Sequence, residues 1–412
     1  MSHKKLVNSF QTETVPNELV SLITGRSESL FAEDLEKNKQ TIFSCINKAR
    51  VLVIGASGSI GSAFVKQLMT YKPGALFLID INENSLADLV RDLRSCSFQV
   101  PTEFETSVVG MGGEGFEFLL KTHGPFDCVL NFSALKHVRS EREPYGLMRL
   151  LDTNVFSFDK MLNTLSSLNH KCKVFSVSSD KAVNPVSLMG ASKRWMEKLL
   201  TIQNESLTCT SARFANVAYS AGSLPQAFMH RISSRQALAG PNDIKRYFIS
   251  HEEAGQLCLL ALVLGQNHEV FIPRLSVKEA ISFIDVAIRT LEFHSLEPKF
   301  YDNEEEAKYS KLLINPPQTK WPCYFSPSNT SGEKEIEELS YPDEDVDSHQ
   351  FKSVKVVMMK KENKKQLDEA YQTIDKARSQ FPWKKEDIIT GIKIAVPELK
   401  HIEKKLSLDD KM

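Results

Sequence analysis

Apolar runs and amphipathic segments alternate along the middle of the chain. The runs predict buried strands, and the segments that repeat apolar residues at helical spacing predict helices. Strands are predicted in ARVLVIGASG, ALFLIDI, FDCVLNFSA, KVFSVSS and CTSARFANV, and helices in SIGSAFVKQLMTY, ENSLADLVRDLRS and ASKRWMEKLLTIQNE. Because continuous apolar strands need cover on both faces, this alternation predicts an α/β fold built on a Rossmann-type doubly wound parallel sheet.

The alternation weakens after about residue 220, where loops and helices indicate a smaller C-terminal substrate-binding lobe. Residues 300–350 are acidic and rich in Pro and Ser, which predicts an extended loop or connector. VKVVMMKK then predicts a late strand. The predicted regions are an N-terminal helical extension over 1–48, a Rossmann domain with the catalytic residues over 49–220, the lobe and acidic connector over 221–345, and a C-terminal strand and helices over 346–412.

Composition narrows the classes of partner and compartment. The 412 residues carry a formal net charge of -1, which favours neither nucleic acid nor an anionic membrane as a partner. The longest apolar run, CLLALVLG, is too short for a membrane span, and the first residues lack the apolar core of a signal peptide. Seven scattered cysteines without a C-x-x-C pair predict reduced core thiols, a cytoplasmic protein and no metal site.

A glycine-rich turn lies between the first predicted strand and the helix that follows. It reads Gly55-Ala-Ser57-Gly58-Ser59-Ile60-Gly61. In such a turn the first glycine allows a tight exit from the strand, the second lets a pyrophosphate approach the backbone, and the third lets the helix pack on the sheet. The N-terminus of the helix supplies free N–H groups for the phosphates. This turn therefore predicts a dinucleotide site, with Ser57, Ser59 and Ile60 among the binding residues.

Asp80 ends the second predicted strand, at the place where a carboxylate binds the ribose hydroxyls of the cofactor. A carboxylate there repels a 2′-phosphate, and residues 81–84 bring no arginine to neutralise one. The sequence thus favours NAD over NADP, although Arg91 and Arg94 lie one helix further on and could reach back.

A polar segment, Ser178-Ser-Asp-Lys-Ala-Val-Asn-Pro185, follows the apolar strand KVFSV. Its side chains should emerge at the carboxyl end of the sheet, where open α/β folds bind their ligands. With the glycine turn and the segments ALKHV, DTNV, RFANV, SAGSLP and RYFI, it resembles the nucleotide-sugar 4,6-dehydratases of the polysaccharide-biosynthesis type, such as UDP-N-acetylglucosamine 4,6-dehydratases. These belong to the extended short-chain dehydrogenase/reductase superfamily. The similarity runs from about residue 20 to 280, with a weaker echo in SPSNTSGEKEIEEL.

The resemblance implies a reaction and a role for each residue of this segment. A hydride leaves C4 of the sugar for NAD, water is lost across C5 and C6, and the hydride returns to C6. By resemblance, Asp180 protonates the departing hydroxyl, Lys181 takes the C5 proton, Ser179 binds the 4-oxygen and Lys193 binds the nicotinamide ribose. A lysine must be neutral to act as a base. We therefore expect burial, Lys193 and NAD⁺ to lower the pKa of Lys181.

Met189 stands four residues before Lys193, where most short-chain dehydrogenases have a tyrosine. A thioether cannot exchange a proton, so the usual phenolate base is missing. The resemblance identifies a methionine here as a variant of one branch of the dehydratases. The group that deprotonates the 4-hydroxyl stays open between Asp180 and an ordered water.

The same resemblance implies the other contacts. Ser133 and Ala134 would touch the cofactor, and the UDP-sugar substrate would contact Lys136, His137, Asn216 and Arg246. Simpler interpretations remain: Lys136 and His137 could pack at a loop, and Arg246 could form a structural ion pair. Family members commonly associate through helices beside the sheet, so a homo-oligomer is expected.

Two other functions compete with dehydration. A nucleotide-sugar 4-epimerase would share the fold, but epimerases of this superfamily use the tyrosine that Met189 replaces and do not need the Asp180–Lys181 pair. A catalytically silent nucleotide-binding protein is the other alternative, and the presence of both that pair and Lys193 argues against it.

Overall fold

The fold comes from a computed structural model that describes residues 15–203, 205–315, 319–328 and 332–402. A nine-stranded sheet forms its centre. The strands of all the sheets in the described residues, nine of which form this central sheet, are β1 (Arg50–Ile54), β2 (Ala75–Asp80), β3 (Glu103–Val108), β4 (Cys128–Asn131), β5 (Cys172–Ser179), β6 (Leu207–Phe214), β7 (Asn216–Val217), β8 (Leu238–Pro241), β9 (Lys245–Arg246), β10 (Phe248–Ile249), β11 (Glu269–Pro273), β12 (Ile281–Ser282), β13 (Glu297–Phe300), β14 (Lys320–Ser326), β15 (Asp345–Asp347) and β16 (Val354–Met358).

The helices cover both faces of this sheet. They are α1 (Asn17–Thr24), α2 (Ala32–Ile46), α3 (Ser59–Met69), α4 (Glu83–Ser95), α5 (Glu114–His123), α6 (Pro144–Leu151), α7 (Ser157–Ser167), α8 (Leu188–Thr201), α9 (Leu224–Ser233), α10 (His251–Leu264), α11 (Phe283–Phe293), α12 (Glu304–Lys308), α13 (Lys311–Ile314), α14 (Lys364–Arg378) and α15 (Lys385–Ala395). One apolar core joins α2, α3, α4 and α10 to the sheet. The other apolar core joins helices α5, α6, α7, α8, α14 and α15 to the opposite face of the sheet.

The strand order β15-β16-β11-β6-β5-β4-β1-β2-β3 confirms the predicted doubly wound Rossmann-type fold. The seven neighbouring strands β11, β6, β5, β4, β1, β2 and β3 run parallel to one another. At one edge of the sheet, β16 pairs antiparallel with β11, and β15 pairs antiparallel with β16. The winding reverses at β1, which pairs with β2 on one side and β4 on the other. Open α/β sheets bind ligands in the crevice above such a reversal.

A smaller lobe with its own apolar core stands beside the sheet. It contains a three-stranded sheet of order β13-β14-β8, packed with α9 and α11. Leu19 and Ile23 of α1 also belong to this core. The first helix of the predicted N-terminal extension is therefore part of the lobe, whereas α2 packs on the main sheet with α10. Residues 1–14 of that extension lie outside the described residues.

Two predicted boundaries need correction. Residues 269–273, assigned to the smaller lobe, form β11, the third strand from one edge of the central sheet; all five are buried, and the four that follow Glu269 are apolar. The acidic region 300–350 is also more than a connector. It contains α12, α13 and β14, and its residues 332–344 pack against the carboxyl end of β5 through several hydrogen bonds.

The C-terminal helices cover part of one face of the central sheet. α15 packs against α6 and α8, and α14 packs on α15. Helices α6 and α8 are thus covered by another part of the same chain. The expected homo-oligomer stays a prediction. Within the described part of the chain, no helix has the length and apolar character needed to cross a membrane.

Candidate active site

A cavity of about 600 Å³ opens above the carboxyl ends of the central strands, between the sheet and the smaller lobe. Its walls come from the start of α3, the segment after β4, the end of β5, helix α8 and the segments after β6. The predicted site residues that line it are Gly58, Ser59, Ile60, Gly61, Ala134, Lys136, His137, Ser179, Asp180, Lys181, Met189, Lys193, Asn216 and Arg246. Gly55, Ser57, Asp80 and Ser133 lie next to this wall without lining the cavity.

The glycine turn has the geometry of a phosphate cradle. Gly55 has a φ of 72°, and a Cβ there would lie 2.7 Å from the backbone nitrogen of Ser133. A Cβ on Gly61 would lie 2.2 Å from the carbonyl oxygen of Gly55. At Gly58 the nearest atom would be 3.4 Å away, an ordinary contact, so the protein itself does not require a glycine there. Helix α3 begins directly after Gly58 without a side-chain cap. These features fit a pyrophosphate.

Asp80 braces this turn. Its Oδ2 accepts a hydrogen bond from the backbone N–H of Ser57 at 3.0 Å, and its Oδ1 accepts one from Asn82 at 3.0 Å. The carboxylate is therefore held beside the glycine turn at the end of β2. Its predicted contact with a ribose stays a prediction.

The side chains of Ser179, Asp180 and Lys181 meet at the carboxyl end of β5. The hydroxyl of Ser179 donates to Oδ1 of Asp180 at 2.7 Å, and Nζ of Lys181 donates to the same oxygen at 3.2 Å. Ser179 also caps the short 3-10 turn Asp180–Ala182 by accepting from the N–H of Lys181. This turn aims the serine, the carboxylate and the ammonium at one end of the cavity.

The sequence analysis expected a lowered pKa for Lys181, and this direction was wrong. Burial alone would lower the pKa of Lys181, but the carboxylates of Asp180 and Glu337 outweigh it and raise that pKa above its usual value, against a smaller opposing effect of Arg246. The lysine is thus held as an ammonium ion. The two carboxylates, which the sequence argument did not place together, are the physical reason.

Lys193 shows the behaviour that was expected of Lys181. It is buried on α8 and donates to the carbonyl of Val177 at 2.9 Å. Burial lowers its pKa to about 8, because the single opposing carboxylate, that of Glu197, compensates only in part. The pKa values of the two lysines are therefore shifted in opposite directions, upwards for Lys181 and downwards for Lys193.

Met189 lies in the cavity wall with its backbone tied to a buried acid. Its N–H donates to Oε1 of Glu141 at 2.8 Å. Glu141 is 4% exposed and its Oε2 accepts no hydrogen bond from the described residues. Burial raises the pKa of Glu141, while the backbone hydrogen bonds from α8 oppose that rise. The sequence analysis assigned no role to Glu141.

The predicted substrate residues fall into two groups. Lys136 and His137 stand exposed at the cavity mouth, where partial loss of water lowers the pKa of each. The ring of His137 lies against Gly222, whose φ is 74°. Asn216 lines the wall. Arg246 is 4% exposed, donates to the carbonyls of Lys245, Lys334 and Glu335, and lies 3.5 Å from Glu337. The structural ion pair weighed for Arg246 is present.

A strap formed by residues 332–344 crosses the 3-10 turn Asp180–Ala182 and the residues that follow it. Nζ of Lys334 donates to the carbonyl of Val183 at 2.8 Å, and the hydroxyl of Tyr341 donates to the carbonyl of Ala182 at 3.0 Å. Asn184 donates to Glu338 at 2.9 Å. These contacts carry Glu337 to within 3.4 Å of Nζ of Lys181. The only sequence signal for this residue was the weak echo in GEKEIEEL.

A buried charge network supports the site from below. Arg213 and Glu197 are both 0% exposed and pair twice at 2.9 Å. Ser178 donates to Glu197 at 2.6 Å, and Glu344 of the strap binds the other side of Arg213 at 2.7 Å. The network links β5, β6, α8 and the strap. Asn154, in the π-helical turn Asp152–Phe156, similarly joins Leu135 and Ser192, at 2.9 Å each.

Comparison with known proteins identifies the family of this chain. A family described as polysaccharide biosynthesis protein matches residues 51–359. The chain belongs to this family. The chain is similar to an uncharacterized membrane protein of Methanocaldococcus jannaschii, 30% identical over 61% of this chain and 74% of that protein. It is also similar to the capsular polysaccharide biosynthesis protein CapD of Staphylococcus aureus, 28% identical over 63% of this chain. The chain spans only 43% of the length of CapD.

Two other relatives of the chain have names that state an enzymatic reaction. The inverting UDP-N-acetylglucosamine 4,6-dehydratase of Campylobacter jejuni is 26% identical over 56% of this chain and 68% of that enzyme. A UDP-glucose 4-epimerase of Rickettsia felis is 29% identical over 47% of this chain and 57% of that enzyme. The chain is thus similar to both dehydratases and epimerases of nucleotide sugars.

Solved structures confirm the fold of the family member. Pen from Bacillus thuringiensis matches with a TM-score of 0.62 at 21% identity, over 76% of this chain and 88% of that chain. DesIV, a dTDP-glucose 4,6-dehydratase from Streptomyces venezuelae with NAD and TYD bound, matches with a TM-score of 0.53 at 17% identity, over 71% of this chain and 88% of that chain.

Proposed function

We propose that the chain catalyses the NAD-dependent 4,6-dehydration of a nucleotide-activated sugar, with UDP-N-acetylglucosamine as the first candidate, in the biosynthesis of a surface polysaccharide or glycan. The observation that carries the proposal is the meeting of Ser179, Asp180 and Lys181 at one end of the cavity, with Met189 in the same wall. An acid and a base a few ångströms apart suit an elimination. The dehydratase among the relatives supports the same class of reaction.

NAD fits the residues of the glycine turn. Gly58 leaves room beside the uncapped start of α3, and Asp80, held beside the glycine turn, would bind the ribose. Two arginines that could favour NADP are engaged elsewhere: Arg91 pairs with Asp88 at 2.7 Å, and Arg94 lies over the ring of Phe104. When bound, NAD would accept a hydride from C4 of the sugar and return it to C6.

The residues of the chain would move the protons. The product keeps a ketone at C4, so the proton of the 4-hydroxyl must leave, and the 6-hydroxyl must gain one to depart as water. Asp180 can do both, because it lies in hydrogen-bond contact with Ser179, which would bind the 4-oxygen. Asp180 would accept the first proton and deliver it to the departing hydroxyl. Lys181 would remove the C5 proton in between.

Other residues would orient the two ligands. Lys193 would bind the nicotinamide ribose, and its lowered pKa of about 8 leaves it partly neutral near physiological pH. Lys136, at the mouth, would supply a cation for the diphosphate, together with His137 and Asn216. Arg246 already donates to three carbonyls, so its role would be to shape the wall of the sugar site.

Mass spectrometry of the products tests this proposal. The full chain would be incubated with NAD and UDP-N-acetylglucosamine, and then with other nucleotide sugars. A product lighter by one water supports dehydration. No product from any of these substrates would overturn the proposal and favour a catalytically silent nucleotide-binding protein.

A 4-epimerase is the second candidate, favoured by the Rickettsia felis relative. An epimerase would give a product of unchanged mass that chromatography separates from the substrate. The thioether of Met189 weighs against it, because this side chain cannot exchange the proton that a tyrosine would.

A further inference from the structure

Two cysteine side chains outside the candidate active site lie in contact. Cys45 is in the last turn of α2, and Cys128 is the first residue of β4. Both are free thiols, and a hydrogen bond joins their sulfur atoms. More than 80 residues separate them along the chain, so only the fold brings them together. The proposed reaction uses neither of them.

The packing of α2 on the central sheet holds this pair together. Cys128 lies opposite Val51 in the register of β4 and β1. Ile46, the neighbour of Cys45 on α2, belongs to the same apolar core as Val51 and Cys128, and all three are buried. Cys45 itself packs against this core. The contact of the two thiols is therefore fixed by a helix anchored on the strands, because close-packed cores leave little freedom to their side chains.

The two thiols differ in access and in acidity. Cys45 is partly exposed, whereas Cys128 is 1% exposed. The hydrogen bond from Cys128 lowers the pKa of Cys45 against the effect of burial, and the charge of Lys173 lowers it further. The same hydrogen bond, together with burial, raises the pKa of Cys128. Cys45 is thus the thiol that solvent reaches and that ionises first, and the thiolate is the nucleophile of disulfide chemistry.

We propose that Cys45 and Cys128 form an oxidisable pair, in which Cys45 attacks a small disulfide such as oxidised glutathione and Cys128 resolves the adduct. In the first step, the sulfur of Cys45 bonds to one sulfur of the oxidant, whose S–S bond breaks and releases one thiolate. In the second step, the sulfur of Cys128 bonds to that of Cys45 and releases the other half of the oxidant. The two cysteines lose two electrons and two protons, and the oxidant leaves as two thiols.

The bond would tie the end of α2 covalently to the sheet. In a reducing compartment such a bond is transient and follows the balance of thiols and disulfides around the protein. The proposed role of the pair is therefore redox sensing, at a site separate from the cavity, since neither cysteine is among the described residues that line it.

Intact-mass spectrometry of the folded full chain tests this proposal. Every protein in the test carries Cys96→Ser, which removes the exposed thiol that follows α4. After treatment with oxidised glutathione near neutral pH, this parent protein should have lost the mass of two hydrogens and should carry no glutathione. Peptide mapping without reduction should then find Cys45 linked to Cys128.

Two single substitutions in the parent separate the two steps. With Cys128→Ser, the first step can take place and the second cannot, so one glutathione should accumulate on Cys45. With Cys45→Ser, the remaining thiol is buried in the core, so no glutathione should be taken up. If the buried hydroxyl of Cys128→Ser prevents folding, Cys128→Ala carries the same test, because only the loss of the second thiol matters.

Three results would overturn the proposal. The parent could keep all of its thiols, which would show that Cys45 does not attack the oxidant. It could hold glutathione on Cys45 as a stable adduct, which would show that Cys128 does not resolve it. Cys45→Ser could react as readily as the parent, which would show that another thiol is the nucleophile. None of these results bears on the proposed dehydration, which is measured separately by loss of water from a nucleotide sugar.

Discussion

The backbone N–H of Met189 donates to a carboxylate oxygen of Glu141 at 2.8 Å, which ties the first turn of helix α8 to the short helical turn after β4. The methionine stands where a catalytic tyrosine is usual in the superfamily, so this bond fixes the wall of the site at its most unusual position. The acid that makes the bond is buried, and burial raises its pKa.

This burial predicts a pH dependence of stability. A carboxyl whose folded pKa lies above the ordinary value of 4.5 contributes stability that is complete below that value and is lost as pH rises through the folded pKa. Glutamine does not titrate, so Glu141→Gln should gain stability relative to the wild type as the pH rises above 4.5. Urea unfolding across a series of pH values from 4.5 upwards measures the difference, with exposed Glu335→Gln as control. A difference that is constant or falls with pH would refute this prediction.

The glycine turn predicts a separation between cofactor binding and stability. A Cβ at Gly58 meets only an ordinary contact, whereas at Gly61 it would lie 2.2 Å from a carbonyl oxygen. Gly58→Ala should therefore keep the melting temperature of the wild type and bind NAD about tenfold or more weakly, since the methyl group enters the proposed phosphate cradle. Gly61→Ala should unfold at lower temperature. Calorimetric titration with NAD and thermal melting check both, and unchanged NAD affinity in Gly58→Ala would contradict the cradle.

The sequence pattern predicted β1, β2, β4, β5 and β6 of the central sheet and the late strand β16, and it missed β3 and β11. β1 and β4 are continuous apolar runs because helices cover both of their sides. β3 lies at the edge of the sheet with most residues partly or fully exposed, so it carries no apolar run to detect. α10 is apolar around its whole circumference, since it packs between the sheet and helices α2 and α3, and therefore shows no helical period.

The candidate site divides in the same way. Asp180, Lys181 and Lys193 could be predicted because they lie close together in sequence, next to a recognisable strand. Glu337 could not, since more than 150 residues separate it from Lys181 and a glutamate in a charged run is ordinarily solvated. The predicted direction of the pKa shift of Lys181 failed because two carboxylates outweigh burial: that of Asp180, its neighbour in sequence, has the larger effect, and that of Glu337 on the strap adds to it.

Lys181 itself gives the most direct test of the chemistry. Lys181→Ala removes the proposed base and should lower the rate of water loss by about 10²- to 10⁴-fold, the range for a proton-transfer group. Binding of NAD should persist, because Lys181 is not part of the glycine turn. Lys245→Ala, at an exposed lysine near the cavity, is the matched control. Product mass spectrometry and NAD titration on both variants provide the measurements. Normal turnover by Lys181→Ala would refute the assignment of Lys181 as the base.

The ion pair of Arg213 and Glu197 predicts a large stability effect away from the reacting groups. Burial opposes the charge of Glu197, but Arg213, with help from Arg194 and Ser178, lowers its pKa to about 2. Arg213→Met leaves this carboxylate buried with fewer partners, so the free energy of unfolding should fall by about 3–5 kcal/mol. Adding Glu197→Leu should restore part of the loss, because the unpaired charge is then gone.

The same pair has a defined response to acid. A lowered carboxyl pKa contributes stability that is present above the ordinary value of 4.5 and is lost as pH falls towards about 2. The deficit of Arg213→Met relative to the wild type should therefore shrink as pH falls through this range, while the deficit of the double variant should vary less. Urea unfolding of the three proteins across the range measures both trends. A deficit that grows in acid would show that Glu197 is not the group that Arg213 holds charged.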